Sequence, residues 1–239
     1  MQHVTRKALI TGGSRGIGLA VAQALASQGY ELLLVARHEV RLRDVAGRLQ
    51  RNHSIPVKHF ACDLSHIPSI DALCRFCRRS RFRPNLLVHN AGVFIEGSLT
   101  KSRTVDFEKT MAVNLRAVYQ LTKGLLPLIA KTVKPRIIII GSTAGLEPYT
   151  TGAVYGVSKW AVRGFAINLR SELLPRRIGV TLISPGGTLT DLWHGVRLPA
   201  NRLLPPTDVA RLVHAVDSLE EQTVVEEVVV RPILGDLHD

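Results

Sequence analysis

Short apolar runs alternate along the whole chain with amphipathic segments of helical length. The apolar runs are KALIT (7–11), ELLLVAR (31–37), VKHFACD (57–63), LLVHNAG (86–92), RIIIIGS (136–142), GVTLISPGG (179–187) and VVEEVVVRP (224–232). Near-continuous apolar strands separated by helices are typical of a parallel sheet that is covered on both faces. The pattern therefore predicts an α/β fold, a doubly wound parallel sheet of about seven strands with helices on both faces.

The chain is expected to form one domain over residues 1–239. It contains no linker, repeat or low-complexity segment, and 46% of its residues are hydrophobic, which suffices for a sizeable core. No apolar run approaches the ~20 residues of a membrane span, and no separate apolar region precedes the first strand. These features predict a cytoplasmic protein that does not enter a membrane.

The formal net charge is +12, and arginines cluster in 37–51 and 75–84. Only 5% of residues are aromatic and no nucleic-acid motif is present, so solvated helix faces are favoured over nucleic-acid binding. A contribution to binding an anionic cofactor or an acidic carrier protein remains the alternative. The CRFC segment (74–77) lacks further ligands at zinc spacing, which predicts packed or solvated thiols and no metal site.

The segment TGGSRGIG (11–18) follows the first strand and opens the first helix. Glycine permits a tight turn and a close approach of the backbone, and a helix N-terminus favours negative charge. This position in the first βα unit predicts a dinucleotide pyrophosphate site, although the glycine spacing differs from the common GxGxxG.

The second strand ends in Ala36 and Arg37, with no acid where an NAD-binding fold usually presents one to the ribose. Arg15 lies in the glycine turn nearby. Two guanidinium groups suit a 2′-phosphate, so the sequence favours NADP(H) over NAD; the alternative is that both arginines are merely solvated.

Tyr155 and Lys159 are four residues apart in a predicted helix, so they share one face. A neighbouring ammonium favours the phenolate and is expected to lower the pKa of the phenol from about 10. Such a pair suits proton transfer near neutral pH, but by spacing alone it also occurs by chance on solvated helices.

Taken in order along the chain, these motifs resemble the short-chain dehydrogenase/reductase family. The matching segments are TGGSRGIG (11–18), CDL (62–64), NAG (90–92), MAVNLRAVY with Asn114, GSTAG with Ser142, YGVSK (155–159) and PGGTLT (185–190). The 13-residue step from Ser142 to Tyr155 also matches. The resemblance covers nearly the whole chain and implies a single-domain Rossmann fold.

The resemblance implies an NADPH-dependent oxidoreductase that reversibly reduces a ketone or aldehyde to an alcohol. Tyr155 would be the general acid, Lys159 would lower its pKa and hold the nicotinamide ribose, and Ser142 would hydrogen-bond the substrate oxygen. Asn114 would support a water that links Lys159 to solvent; the alternative is an amide that only bonds neighbouring backbone.

The resemblance also assigns residues to the parts of the cofactor. Asp63 and Leu64 would meet the adenine, residues 90–92 the ribose, and Pro185, Gly186 and Thr190 the nicotinamide end. The full predicted cofactor set is Gly12, Ser14, Arg15, Gly16, Ile17, Gly18, Arg37, Asp63, Leu64, Asn90, Ala91, Gly92, Tyr155, Lys159, Pro185, Gly186 and Thr190.

The loop at about 188–206 is expected to form the wall of the substrate cleft, with Leu192, Trp193 and Val196 apolar and His194 and Arg197 polar. The substrate class stays open between a small carbonyl compound and a 3-oxoacyl thioester on a carrier protein. A non-catalytic NADP-binding regulator is the third possibility. The stretches 104–131 and 154–176 are long for an ordinary helix. In the family the matching helices pair across a two-fold axis, so the resemblance implies a homodimer or homotetramer.

Overall fold

A computed structural model describes residues 6–149, 152–193 and 199–236. Its sheet has seven parallel strands in the order β3-β2-β1-β4-β5-β6-β7. The strands are β1 Lys7–Thr11, β2 Glu31–Ala36, β3 Val57–Ala61, β4 Leu86–His89, β5 Arg136–Ile140, β6 Gly179–Pro185 and β7 Glu227–Val230. The predicted doubly wound sheet is therefore confirmed, with its chain order reversing between β1 and β4.

Helices cover both faces of this sheet. They are α1 Gly16–Ser27, α2 Glu39–His53, α3 Ile67–Arg79, α4 Thr104–Met111, α5 Ala117–Ile129, α6 Ala153–Leu173 and α7 Pro206–Ser218. One apolar core lies between the sheet and α1, α2 and α7, and a second lies between the sheet and α3, α5 and α6. In the described residues, no helix combines the length and the apolar character that a membrane crossing needs.

The strands are shorter than the apolar runs that predicted them. β4 ends at His89 and β5 at Ile140, so Asn90 and Ser142 lie in the segments that leave the sheet. Parallel pairing stops where the neighbouring strand diverges into its own loop, which the apolar pattern does not encode. The polar residues at the ends of these apolar runs therefore lie beyond the strands, at the carboxyl edge of the sheet.

The predicted helical stretch 104–131 is not one helix. Residues Ala112–Arg116 form a π-helical turn between α4 and α5, and Asn114 lies at its centre. Single π-helical turns of this kind are frequent at functional sites.

The three cysteines are buried free thiols, which agrees with the prediction of packed thiols. Burial raises the pKa of the Cys74 thiol to about 11.

Candidate active site

The predicted site residues gather at the carboxyl ends of the strands. β1 pairs with β2 on one side and with β4 on the other, so the segments after β1 and β4 flank the point where the strand order reverses. In open α/β sheets this crevice is where ligands bind. Three strand spacings separate β2 from β5, roughly 14 Å at about 4.8 Å each, a span that suits an extended dinucleotide.

The glycine turn is tight because its glycines leave no room for side chains. Gly12 has φ +69° and donates its N–H to the Val35 carbonyl at 2.8 Å. A Cβ on Gly18 would lie 2.2 Å from the Gly12 carbonyl oxygen. The turn leads directly into α1, whose first turn has neither an acidic residue nor a side-chain cap. Its amide groups are therefore available to an anion.

Thr11 and Asn90 tie the glycine turn to the segment after β4. The Thr11 hydroxyl accepts from the Asn90 and Ala91 amides at 3.0 Å each. The Asn90 amide group in turn donates to the Thr11 carbonyl at 2.9 Å. Residues 11–12 and 90–91 are consequently tied together by hydrogen bonds. Ser14 is buried in the turn, and Ile17 is partly buried in the first turn of α1.

The charged residues of the predicted adenosine end lie on the β2 and β3 side. Arg37 is exposed just beyond β2, and Leu64 is buried below the rim. Burial acts to raise the pKa of Asp63, but hydrogen bonds from Ser65 and the charges of His66 and Arg37 outweigh it and lower that pKa. Arg15 extends from the glycine turn to Asp191, 3.1 Å from its carboxylate.

The sheet brings Ser142, Tyr155 and Lys159 together at the carboxyl end of β5. The Lys159 amine is buried, donates to the Ile140 carbonyl at 3.3 Å and lies 5.5 Å from the centre of the Tyr155 ring. Ser142 caps a short 3-10 turn that packs on α6, since a Cβ on Gly145 would lie 2.7 Å from the Lys159 carbonyl oxygen. This packing holds Ser142 in hydrogen-bond contact with Tyr155.

The pKa values of this pair differ from the sequence-based expectation. Burial raises the pKa of Tyr155, and the hydrogen bond with Ser142 offsets only part of that rise. Burial also lowers the pKa of Lys159 to about 8. In the protein alone the pKa of the phenol is therefore raised by burial, the opposite of the lowered value that the neighbouring ammonium predicts.

Asn114 joins α6 to the segment that follows β4. Its carbonyl oxygen accepts from the Val93 amide at 2.8 Å, and its NH₂ group donates to the Val93 carbonyl at 3.0 Å and to the Ser158 hydroxyl at 2.9 Å. The Asn114 amide therefore bonds both the Val93 backbone and the Ser158 side chain. A Cβ on Gly92 would lie 3.4 Å from the Asn114 oxygen and 3.9 Å from the Lys159 nitrogen, so a glycine keeps this corner open.

The segment after β6 lies against the glycine turn. A Cβ on Gly16, at φ +52°, would lie 3.1 Å from the Thr190 methyl group. Gly186 donates to the Val230 carbonyl at 2.8 Å, directly beyond Pro185. His194, Val196 and Arg197 of the predicted cleft loop fall outside the described residues.

The profile of the short chain dehydrogenase family matches residues 6–200. The chain belongs to the short-chain dehydrogenase/reductase family. Its site therefore combines a family-typical sequence order with the rim geometry described above.

Individual relatives match nearly the whole chain. An uncharacterised oxidoreductase of Staphylococcus saprophyticus is 30% identical over 226 residues, which is 95% of this chain and 97% of that protein. An alcohol dehydrogenase of Thermococcus sibiricus, solved with 5-hydroxy-NADP, superimposes with a TM-score of 0.90 at 27% identity, covering 99% and 100% of the two chains. A metagenomic short-chain oxidoreductase in complex with NADP gives a TM-score of 0.83 at 32% identity, covering 95% and 96%.

This member of the family has site residues that sequence reasoning missed. Phe94 and Tyr149 contact the Tyr155 ring edge-on, with ring centres 4.9 and 6.1 Å away. Phe94 follows the NAG segment closely, which was an available signal, whereas Tyr149 lies in a loop without a motif. Asp191 and Arg41 are likewise unpredicted, because their contacts join distant segments.

Proposed function

We propose that this chain binds NADP(H) and catalyses the reversible reduction of a ketone or aldehyde to an alcohol. The observation that carries the proposal is the convergence of Ser142, Tyr155 and Lys159 at the end of β5, beside a glycine turn whose amides are available to an anion. The related structures that contain NADP and 5-hydroxy-NADP support the cofactor assignment.

The glycine turn 12–18 and the neighbouring segment 90–92 have a shape that fits a dinucleotide. Side chains at Gly12 or Gly18 would fill the space beneath the turn, since a Cβ at Gly12 would lie 2.6 Å from the Asn90 amide nitrogen. The α1 amides would hold the pyrophosphate, while Arg15 and Arg37 would hold the 2′-phosphate. Asp63 with Leu64 would lie at the adenine, and residues 90–92 along the ribose.

At the reacting end, bound NADPH would supply the hydride for the carbonyl carbon. Tyr155 donates its proton to the carbonyl oxygen, and the Ser142 hydroxyl hydrogen-bonds that oxygen as negative charge develops. The Lys159 ammonium, held beside the ring, stabilises the resulting phenolate. Phe94 and Tyr149 contact the Tyr155 ring edge-on and so help to hold the phenol in place.

Asn114 is a positioning residue in this scheme. It fixes Val93 and Ser158, and the Ser158 hydroxyl donates to the Tyr155 carbonyl at 2.7 Å. Through these bonds it holds the start of α6 against the segment that would line the cofactor. The loop 188–206 would close the substrate side of the cleft.

Replacing Tyr155 by Phe tests the reaction. The variant removes the proton donor and keeps the ring, so we expect carbonyl-dependent NADPH oxidation to fall by about 10²–10⁴-fold with NADPH binding retained. Tyr119→Phe is the matched control, since it removes an exposed phenol oxygen on α5. Undiminished turnover by folded, NADPH-binding Tyr155→Phe would overturn the proposed chemistry.

A 3-oxoacyl thioester on an acidic carrier protein is the second candidate substrate. It is favoured by the net charge of +12 and by the arginine-lined groove on α2, which includes Arg43, Arg48 and Arg51. Turnover of a carrier-linked substrate should then fall as salt rises, while turnover of a free thioester should not. Equal salt dependence would exclude the carrier.

We also propose a homodimer built on α5 and α6. Val157, Trp160 and Ile167 are exposed along one face of α6, at 52%, 47% and 42% of their surfaces. Tyr119 of α5 contacts Phe165 edge-on, which continues this apolar face onto the neighbouring helix. Contiguous exposed apolar surface of this kind is typical of protein interfaces.

A further inference from the structure

Arg15, one of the two arginines proposed to hold the 2′-phosphate, already pairs with a negative charge from the chain itself. The Asp191 carboxylate lies 3.1 Å from the Arg15 guanidinium and 4.0 Å from that of Arg41. Arg15 comes from the glycine turn, Arg41 from the arginine cluster on α2, and Asp191 from the start of the segment that leads into the substrate loop. Three separate elements therefore meet at one anion position.

The side chains that make this contact are about half exposed, with 55–58% of each accessible. Exposed ion pairs are weak and readily exchanged. A phosphate monoester carries between one and two negative charges and offers three acceptor oxygens, so it competes well with one carboxylate for two guanidinium groups.

Asp191 also borders open space. With Gly16, Leu19 and Thr190 it lines a cavity of about 500 Å³ between the starts of α1 and α7. Two residues further on, the Trp193 amide donates to the Thr190 carbonyl at 3.0 Å, so Trp193 is bonded into the same short turn. Displacing the carboxylate therefore acts directly on the turn that carries Trp193.

We infer that Asp191 occupies the 2′-phosphate position in the cofactor-free protein and is exchanged for that phosphate when NADP(H) binds. The inference rests on the proposed function and extends it in two respects. Arg41 becomes a specificity-determining residue for the phosphorylated cofactor. Cofactor binding releases the turn Asp191–Trp193, so this turn responds to NADP(H) before substrate arrives.

Binding titrations of Asp191→Asn test the exchange. Without the competing carboxylate, NADPH should bind about 3–10-fold more tightly, while the affinity for NADH should stay unchanged. Asp208→Asn is the matched control, since Asp208 forms a similar exposed pair with Arg211 on α7, 2.7 Å apart. Arg41→Ala should weaken NADPH binding and leave NADH binding unchanged.

Unchanged or weaker NADPH binding by Asp191→Asn would overturn the inference; the weaker result would mean that Asp191 orients Arg15 for the phosphate. Failure of the parent protein to bind NADPH would instead overturn the proposed function. The two failures are therefore distinguishable in the same titration.

Trp193 provides a second readout that does not need nicotinamide. The chain has two tryptophans, so Trp160→Phe leaves Trp193 as the only one. Adenosine 2′,5′-bisphosphate should change its emission, adenosine 5′-monophosphate should not, and Asp191→Asn should abolish the difference. An equal response to both nucleotides would contradict the coupling.

Discussion

At the scale of single residues, the buried amine of Lys159 is expected to oppose folding. This amine donates to the Ile140 carbonyl, and burial lowers its pKa to about 8. The folded protein therefore holds a charge near neutral pH in a place that disfavours charge. A residue kept under such conditions is expected to trade stability for function.

Lys159→Met should therefore stabilise the cofactor-free protein. At pH 7 we expect the free energy of unfolding to rise by about 1–3 kcal/mol, because the buried charge is gone, while carbonyl reduction is lost. Denaturant titration measures the change. Lys123→Met, on the exposed face of α5, should stay within about 0.5 kcal/mol of the parent.

The difference in unfolding free energy between the parent and Lys159→Met should depend on pH. The unfolded chain holds the lysine proton up to about pH 10.4, and the folded protein only up to about 8. The unfolded state thus binds more protons between these values, so this group makes stability rise with pH across that window. The gap between parent and Lys159→Met should close from pH 8 to 10.4; a gap that widens would contradict the assignment.

The pairing of Tyr155 with Lys159 could be predicted from spacing, but the direction of the phenol's pKa could not. Helical periodicity puts two side chains on one face, whereas desolvation depends on what covers them. Here the Tyr155 ring contacts Phe94 and Tyr149, which come from two other segments of the chain. Long-range contacts of this kind leave no local pattern in the sequence.

At the scale of elements, α3 and α5 approach each other at a glycine. A Cβ on Gly124 would lie 2.5 Å from the Cys74 sulfur, and Cys74 belongs to the apolar core between the sheet and α3, α5 and α6. The CxxC segment is thereby explained as packing: Cys74 fills the space that Gly124 leaves.

Gly124→Ala should destabilise the protein by about 1–3 kcal/mol through overpacking, even though alanine favours a helix. Adding Cys74→Ala removes the opposing sulfur, so the double variant should be more stable than the sum of the single effects predicts. Unfolding of all four proteins measures this coupling. Additive effects would show that the two helices do not meet at this pair.

Elements were predicted well wherever the apolar pattern was continuous, as in β5, and less well where backbone geometry decides. The stretch 104–131 has helical periodicity throughout, yet Ala112–Arg116 adopts a π-helical turn. That turn carries Asn114, whose hydrogen bonds to Val93 and Ser158 hold it in place. Tertiary bonds thus select the turn over a regular helix.

At the scale of the whole molecule, the fold explains why motifs far apart in the chain lie at one edge of the sheet. Alternating strands and helices dictate a parallel sheet, and a parallel sheet brings every strand's carboxyl end to one rim. Gly12, Asn90 and Ser142 meet there although up to 130 residues separate them in the chain. The contact of Arg15 and Arg41 with Asp191 could not be foreseen, because it joins a glycine turn, a helix and a loop.

The proposed assembly depends on the apolar face of α5 and α6. Trp160→Asp would place a charge at the centre of that face, and burying an unpaired charge in an interface is strongly unfavourable. We expect light scattering after gel filtration to show a dimer or larger assembly for the parent and a monomer for the variant. Val40→Asp is the matched control, because Val40 is 63% exposed on α2, away from this face. A monomeric parent, or a Trp160→Asp variant that assembles as the parent does, would show that this face is not the dimer interface.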